Sequence, residues 1–167
     1  MLTRRSSLII ANCLVDIDRL GEIIQEAKKL AWEYKMLTGK PLGITGEVAE
    51  YEAARQLNLQ LCDARQAGHD ATQKGLAGEK KIQIKGRCVT SKKSGQRVPS
   101  IKLTHDWDSV MLVLLDDNFE PIKILEAERS AVEQVLTKPG SKSRNERGSM
   151  SISQFNFIAR QVWPKEG

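Results

Sequence analysis

The chain has 167 residues, of which 40% are hydrophobic and 28% are charged. This length and composition predict one soluble globular domain, and no apolar run approaches the length of a membrane span, so we expect no membrane partner. The net charge of +5 suits a polyanionic partner without requiring one.

The cysteine pattern indicates the redox compartment. Cys13, Cys62 and Cys88 lie far apart in the sequence and form no CxxC pair. This spacing favours reduced thiols over a disulfide framework or a zinc site. We therefore expect a cytoplasmic protein. The short apolar run near the N-terminus is followed at once by Asp16 and Asp18, so we read it as mature protein and not as a signal peptide.

The first predicted element is a helix over residues 17–37. Asp16 is a suitable N-cap, and the sequence Gly39-Lys40-Pro41 predicts the stop. We expect this helix to pack on the core or on a partner chain. The apolar residues of its predicted inner stripe are Ile17, Leu20, Ile24, Ala27, Ala31 and Tyr34.

A second helix is predicted over residues 46–57, with Thr45 as its cap. Glu47 falls in the first turn and Glu50 three residues later, so both carboxylates emerge along one flank. Glu47 has two interpretations. It either complements the helix dipole or belongs to a site formed with the residues that follow.

Three short, closely connected strands are predicted next. The segment LNLQLC, residues 57–62, ends as one strand, and Gly68-His69-Asp70-Ala71 begins a second extended piece. A loop around Gly75 and Gly78 leads to the third strand, residues 81–85.

Alternation in the third strand sends Ile82 and Ile84 to one face and Gln83 and Lys85 to the other. A hairpin with the preceding strand would bring the Asp70 carboxylate beside Gln83 and Lys85. A carboxylate, a neutral oxygen donor and a lysine at one point could hold a divalent cation and position a water molecule.

Residues 87–102 form a segment rich in Lys, Arg, Ser and Gly without strong periodicity. We interpret it as a basic surface loop next to the candidate site. It is either simply solvated or in contact with a phosphate backbone, without reading base sequence. The cations available for such contacts are Arg87, Lys92, Lys93, Arg97 and Lys102.

The apolar run of residues 109–115 predicts a buried strand, and the alternation around residues 122–126 predicts a hairpin partner nearer the sheet edge. Ser130 and Glu133 have the spacing of a capping box that opens a helix ending at Leu136.

A polar, basic linker is predicted over residues 138–150, and its segment 141–149 should be mobile in isolation. Residues 151–164 are predicted to form a C-terminal helix, because apolar residues follow at helical spacing. These residues are Ile152, Phe155, Ile158, Ala159 and Val162.

The arrangement of Glu47 on a helix, then Asp70, then Gln83-x-Lys85 on a strand resembles the PD-(D/E)XK nuclease superfamily, which has the restriction-endonuclease-like fold. With Gln in place of the usual acid, it is similar to the Mrr-type branch, in which a D...QxK form occurs. The resemblance covers roughly residues 44–87 in motif terms.

The resemblance implies an α/β fold of the α+β mixed-sheet kind, with a central mixed β-sheet flanked by helices. On this reading residues 1–167 are a single domain. Its parts are an N-terminal helical extension (1–41), a nuclease-like core (42–137), the basic linker (138–150) and the C-terminal helix (151–164).

The resemblance also implies the roles of the site residues. Asp70 would be the central metal ligand, Gln83 would coordinate metal or water, and Glu47 would supply a further carboxylate. Lys85 would orient the attacking water and stabilise charge on the phosphate. The implied cofactor is Mg²⁺, with Mn²⁺ as a substitute.

The function expected from this resemblance is metal-dependent DNA endonuclease activity of restriction or repair type. The alternative from another class is a catalytically silent DNA-binding module, or a subunit of a restriction or defence complex, on the same fold. Lys85 favours the first and Gln83 the second. An RNA-directed nuclease and a structural protein also stay open. Because cutting both strands of a duplex needs two sites, we also expect a homodimer.

Overall fold

The computed structural model of the chain describes residues 7–10, 13–62, 68–76, 78–89, 95–139 and 148–165. Within these ranges the helices are α1 (Ile17–Thr38), α2 (Thr45–Leu57), α3 (Arg129–Leu136) and α4 (Ile152–Ile158). The strands are β1 (Ser7–Ile10), β2 (Cys13–Asp16), β3 (Gln60–Leu61), β4 (Ala71–Gly75), β5 (Gly78–Cys88), β6 (Ser109–Leu115), β7 (Pro121–Glu128) and β8 (Arg160–Trp163).

Six of these strands form one mixed sheet, in the order β3-β4-β5-β6-β7-β8. Strands β5 and β6 are parallel, and every other neighbouring pair is antiparallel. One core joins α1 and α2 to one face of the sheet, and a second core joins α3 and α4 to the other face. The predicted architecture, a mixed sheet flanked by helices, is confirmed.

Strand β6 lies at the centre of this arrangement, and all seven of its residues are buried. Met111, Val113 and Leu115 enter the core beneath α1 and α2, whereas the residues between them enter the core beneath α3 and α4. A strand covered on both faces is apolar throughout, and this explains its uninterrupted hydrophobic run.

Helix α1 begins and ends as predicted. The Asp16 carboxylate accepts hydrogen bonds from two N–H groups of the first turn, at 3.2 and 3.1 Å, and Gly39 ends the helix in the left-handed conformation with φ 69°. Ile24 and Ala31 pack into the core shared with α2. Tyr34, predicted to face inward, is exposed instead.

Two predicted helix caps are wrong. Thr45 is the first residue of α2, and the N-cap position belongs to Ile44, which makes no side-chain capping bond. Helix α3 begins at Arg129, so Ser130 already lies inside it. The Nε of Arg129 donates a hydrogen bond to the Glu133 carboxylate at 2.7 Å. Glu133, the acidic residue of the predicted capping box, is therefore paired with Arg129.

The predicted C-terminal helix over residues 151–164 is also wrong in its second half. Helix α4 ends at Ile158, Ala159 is extended, and β8 pairs antiparallel with β7. Without β8, strand β7 would expose a row of unpaired N–H and C=O groups at the sheet edge. Pairing satisfies those groups, and this outweighs the helical spacing of the apolar residues.

Strands β1 and β2 form a separate antiparallel hairpin that the sequence pattern had not indicated. Most of the predicted basic linker, residues 140–147, lies outside the described residues. Among the helices of the described ranges, none combines the length and apolarity that crossing a bilayer requires.

Candidate active site

The hairpin of β4 and β5 places Asp70 as predicted. The Asp70 N–H donates to the carbonyl oxygen of Ile82 at 2.9 Å, and its own carbonyl accepts from Cys62 at 3.0 Å, so its main chain is held between β5 and the end of β3. The Asp70 carboxylate also accepts a 2.6 Å hydrogen bond from the N–H of Ile84. Asp70 is therefore fixed beside the strand that carries Gln83 and Lys85.

Gln83 is almost fully buried, with 6% of its surface exposed. Its amide nitrogen donates a long bond of 3.4 Å to the carbonyl oxygen of Gly68, and its side-chain oxygen has no hydrogen-bond partner. A buried acceptor without a donor is unfavourable by roughly 1–3 kcal/mol. A bound water would supply the missing donor.

Helix α2 approaches β5 unusually closely because Gly86 has no side chain. A Cβ atom at Gly86 would lie 2.5 Å from the Thr45 carbonyl oxygen and 2.7 Å from the Ala49 Cβ. Ala49 and Ala53 are fully buried in the same contact. The small residues therefore bring the first turns of α2 against the strand that carries Lys85.

This approach brings Glu50, and not Glu47, to the site. Burial first, and then the negative charges of Asp70 and Glu47, raise the pKa of Glu50 from 4.5 to about 7, while Lys85 acts in the opposite direction. Glu50 and Asp70 line the same cleft, whereas Glu47 is exposed and does not line it. Of the two carboxylates of α2, Glu50 lines the cleft and Glu47 acts on it only through its charge.

The sequence alone does not distinguish the two carboxylates, because the choice depends on which side of α2 meets β5 at Gly86.

The cleft has a volume of about 660 Å³. Lys35, Lys85 and Arg87 supply cationic groups to its lining, next to Glu50, Asp70 and Asp117, and Lys35 is paired with Asp117 at 3.3 Å. The thiol of Cys88 also lines it, and burial raises the pKa of this thiol, so it is neither a strong nucleophile nor a ready metal ligand at neutral pH. The chemistry of the cleft rests on its carboxylates and its lysine.

The cationic residues that were predicted to contact a phosphate backbone lie in different surroundings. Arg87 belongs to β5, and its Nε donates to the carbonyl oxygen of Arg97 at 2.9 Å. Arg97 itself bonds Ser149 through both Nε and a terminal nitrogen. Lys102 is exposed. Lys92 and Lys93 lie outside the described residues.

Residues 103–107 form a segment that supports the chain next to Asp70. Arg129 donates to three carbonyl oxygens of this stretch, at 2.6 to 3.0 Å, and stacks 4.5 Å from the centre of the Trp107 ring. The buried His69 donates through Nδ1 to the carbonyl oxygen of Asp106 at 3.1 Å. His69 directly precedes Asp70, so this hydrogen bond anchors the chain next to Asp70. The bond explains the position of His69 without a contact to substrate.

Carboxylates supply only part of the ligands that a cation such as Mg²⁺ needs in this cleft. In the part of the chain that the structure describes, no group of three or more His, Cys, Asp or Glu side chains is arranged to hold a metal. The carboxylates that line the cleft are Glu50, Asp70 and Asp117, whereas the unpartnered amide oxygen of Gln83 is buried and Gln83 does not belong to the lining. Hard oxygen donors of this kind, with water completing the shell, suit Mg²⁺.

Comparison of the chain with protein-family models and with curated protein sequences gives no match. The structure is that of a mixed α/β protein with a cleft lined by three carboxylates and two lysines, and the function has to be argued from that cleft.

Proposed function

We propose that this protein is a metal-dependent DNA endonuclease that hydrolyses phosphodiester bonds at the cleft lined by Glu50, Asp70 and Lys85. The observation that carries the proposal is the raised pKa of Glu50, which burial and the neighbouring Asp70 carboxylate push to about 7. A carboxyl group whose ionisation is disfavoured by burial and by a neighbouring carboxylate, beside a lysine in an open cleft, is typical of a functional site.

A divalent cation would relieve the repulsion that the two carboxylates create. Glu50 and Asp70, which line the same cleft, would hold it. When bound, Mg²⁺ or Mn²⁺ would supply Lewis acidity that offsets charge on the scissile phosphate and lowers the pKa of a bound water.

The protein's own residues would orient and stabilise the reacting groups. The hydrogen bond from Ile84 uses one oxygen, Oδ2, of Asp70 and fixes the plane of this carboxylate. Lys85 would place its ammonium group against the phosphate or the attacking water and stabilise negative charge there. A bound cation would favour the ionised form of Glu50, so Glu50 would act there as a ligand.

The choice of DNA as substrate rests on charge. Lys35, Lys85 and Arg87 line the cleft, and the chain as a whole carries +5. Contacts from such side chains to phosphates would position a nucleic acid without reading its bases. Affinity for DNA should therefore fall steeply as the salt concentration rises.

A catalytically silent DNA-binding module is the second candidate, and one observation favours it. Gln83 occupies the position at which a third carboxylate would strengthen metal binding, so the site has one negative charge fewer. Such a module would keep the basic surface and would bind DNA equally well without a metal.

Cleavage of supercoiled plasmid and of single-stranded DNA with Mg²⁺, Mn²⁺ or EDTA separates the two candidates. We expect metal-dependent cleavage that Asp70→Asn and Lys85→Met each reduce by about 100-fold or more. Matched controls are Glu79→Gln and Lys74→Met, which change the same charges in a cross-strand pair at the far end of the same hairpin. These two variants should cleave like the wild type.

Absence of cleavage by the wild type on every substrate, together with EDTA-insensitive DNA binding, would support the silent module. Cleavage that survives Asp70→Asn would refute the proposed site even if the protein proved to be a nuclease.

A further inference from the structure

Helix α1 exposes far more apolar surface than a helix packed on a domain normally does. Its 22 residues bury only Gly21, Ile24, Lys28 and Ala31. Among the described residues, exposed large apolar side chains are concentrated here, whereas Leu76, Ile122 and Phe157 are scattered over other elements. Those on α1 are Ile23, Leu30, Trp32, Tyr34, Met36 and Leu37.

Part of this surface forms a regular seam, which we call the α1 stripe: Ile23, Ala27, Leu30, Tyr34 and Leu37. Successive members are separated by four, three, four and three residues, the spacing of the a and d positions of a coiled coil. Ile23, Leu30, Tyr34 and Leu37 are 46%, 59%, 40% and 87% exposed, and Ala27 is partly buried. A seam of this spacing is suited to packing against a second helix.

The two borders of the stripe differ. On one side, the heptad positions next to it are Ile24 and Ala31, which are buried in the protein's own core. On the other side they are Glu26 and Glu33, both exposed. Arg19, one heptad earlier, is already paired with Glu22 at 2.6 Å. Residues bordering a helical seam set partner choice, and here the available border is acidic.

A second copy of the chain does not complement this border. If two α1 helices packed antiparallel along the whole stripe, Glu26 of one would face Glu33 of the other. If they packed parallel, each acidic border would face Ile24 and Ala31, which are occupied by the core. Like charges across a seam disfavour such pairing. The homodimer expected from the sequence would therefore need another surface.

We propose that the α1 stripe binds an amphipathic helix of a partner protein whose apolar seam is bordered by Lys or Arg. The apolar positions supply the contact area, and the Glu26 and Glu33 carboxylates select a basic border. This inference is independent of the proposed nuclease activity, because no residue of the α1 stripe lines the cleft.

Two synthetic peptides test the proposal against the full-length protein. Each has about three heptads with Leu at a and d, and they differ only in carrying Lys or Glu at e and g. Fluorescence anisotropy should show that the Lys peptide binds at least about tenfold more tightly than the Glu peptide. The net charge of the protein is +5, so general electrostatic attraction would give the opposite preference.

Variants then locate the binding surface. Leu30→Glu should abolish binding of the Lys peptide, and Glu26→Lys combined with Glu33→Lys should reverse the preference between peptides. Leu76→Ser, which removes an exposed apolar side chain elsewhere, should change nothing. Circular dichroism of each variant checks that the fold is retained.

Three outcomes would overturn the proposal. They are no binding of the Lys peptide, equal binding of both peptides, and sedimentation of the wild type as a dimer that Leu30→Glu dissociates. The last outcome would identify a second copy of the chain as the occupant.

Discussion

Replacing Glu50 by Gln should make the protein more stable at neutral and alkaline pH and leave it unchanged in acid. The pKa of Glu50 is raised in the folded protein, chiefly by burial, from 4.5 to about 7. The folded state therefore binds a proton more tightly than the unfolded state between these two values. The free energy of unfolding of the wild type consequently decreases as the pH rises through this window, and levels off above it.

The size of this effect follows from the shift. A rise from 4.5 to about 7 corresponds to at most about 3.4 kcal/mol, at about 1.36 kcal/mol per pH unit. The open cleft admits water that screens the charge of Glu50, so we expect about 2 kcal/mol. Glu50→Gln cannot ionise, so its advantage over the wild type should grow from near zero at about pH 4.5 to this value at about pH 8.

Urea unfolding followed by circular dichroism, at several pH values and in the presence of EDTA, measures this difference. Glu47→Gln is the matched control, because Glu47 is exposed on the same helix. It should keep most of the decrease in stability that the wild type shows. Parallel stability curves for the wild type and Glu50→Gln would refute the argument that the cleft raises the pKa of Glu50.

Three further substitutions should destabilise the fold in urea unfolding. Lys28→Met breaks ion pairs with Glu52 at 2.9 Å and with Glu120 at 3.0 Å and should cost about 2 kcal/mol, because Glu52 keeps Arg55 as a partner. Gly86→Val pushes a side chain into Thr45 and should cost about 2 kcal/mol, with loss of cleavage because α2 is displaced. Arg129→Met removes three charged hydrogen bonds and should cost about 2 kcal/mol or more. A change below about 0.5 kcal/mol in any of them would contradict the contact on which it depends.

The parts of the fold that local patterns determine could be predicted from the sequence. The continuous apolar run of β6 indicated a strand covered on both faces, and Asp16 with Gly39 bounded α1. The hairpin that brings Asp70 to β5 follows from the turn between two nearby strands. Each of these features depends on residues that are close in the chain, so a short window of sequence contains the information.

The features that the sequence did not indicate depend on distant partners. Choosing Glu50 over Glu47 requires knowing which side of α2 meets β5, and this is set by the close approach at Gly86, more than 30 residues later in the chain. The ending of α4 at Ile158 depends likewise on the unpaired edge of β7. Helical spacing within residues 151–164 contains no information about that edge.

The rates of DNA cleavage by Glu50→Gln and Glu47→Gln test most directly whether the cleft at Glu50, Asp70 and Lys85 is the active site. Both variants remove one carboxylate from the same helix, three residues apart. Measured with saturating Mg²⁺ at neutral pH, Glu50→Gln should lose about 100-fold in rate, and Glu47→Gln should stay within about threefold of the wild type. Loss of activity in Glu47→Gln with Glu50→Gln unaffected would contradict the account.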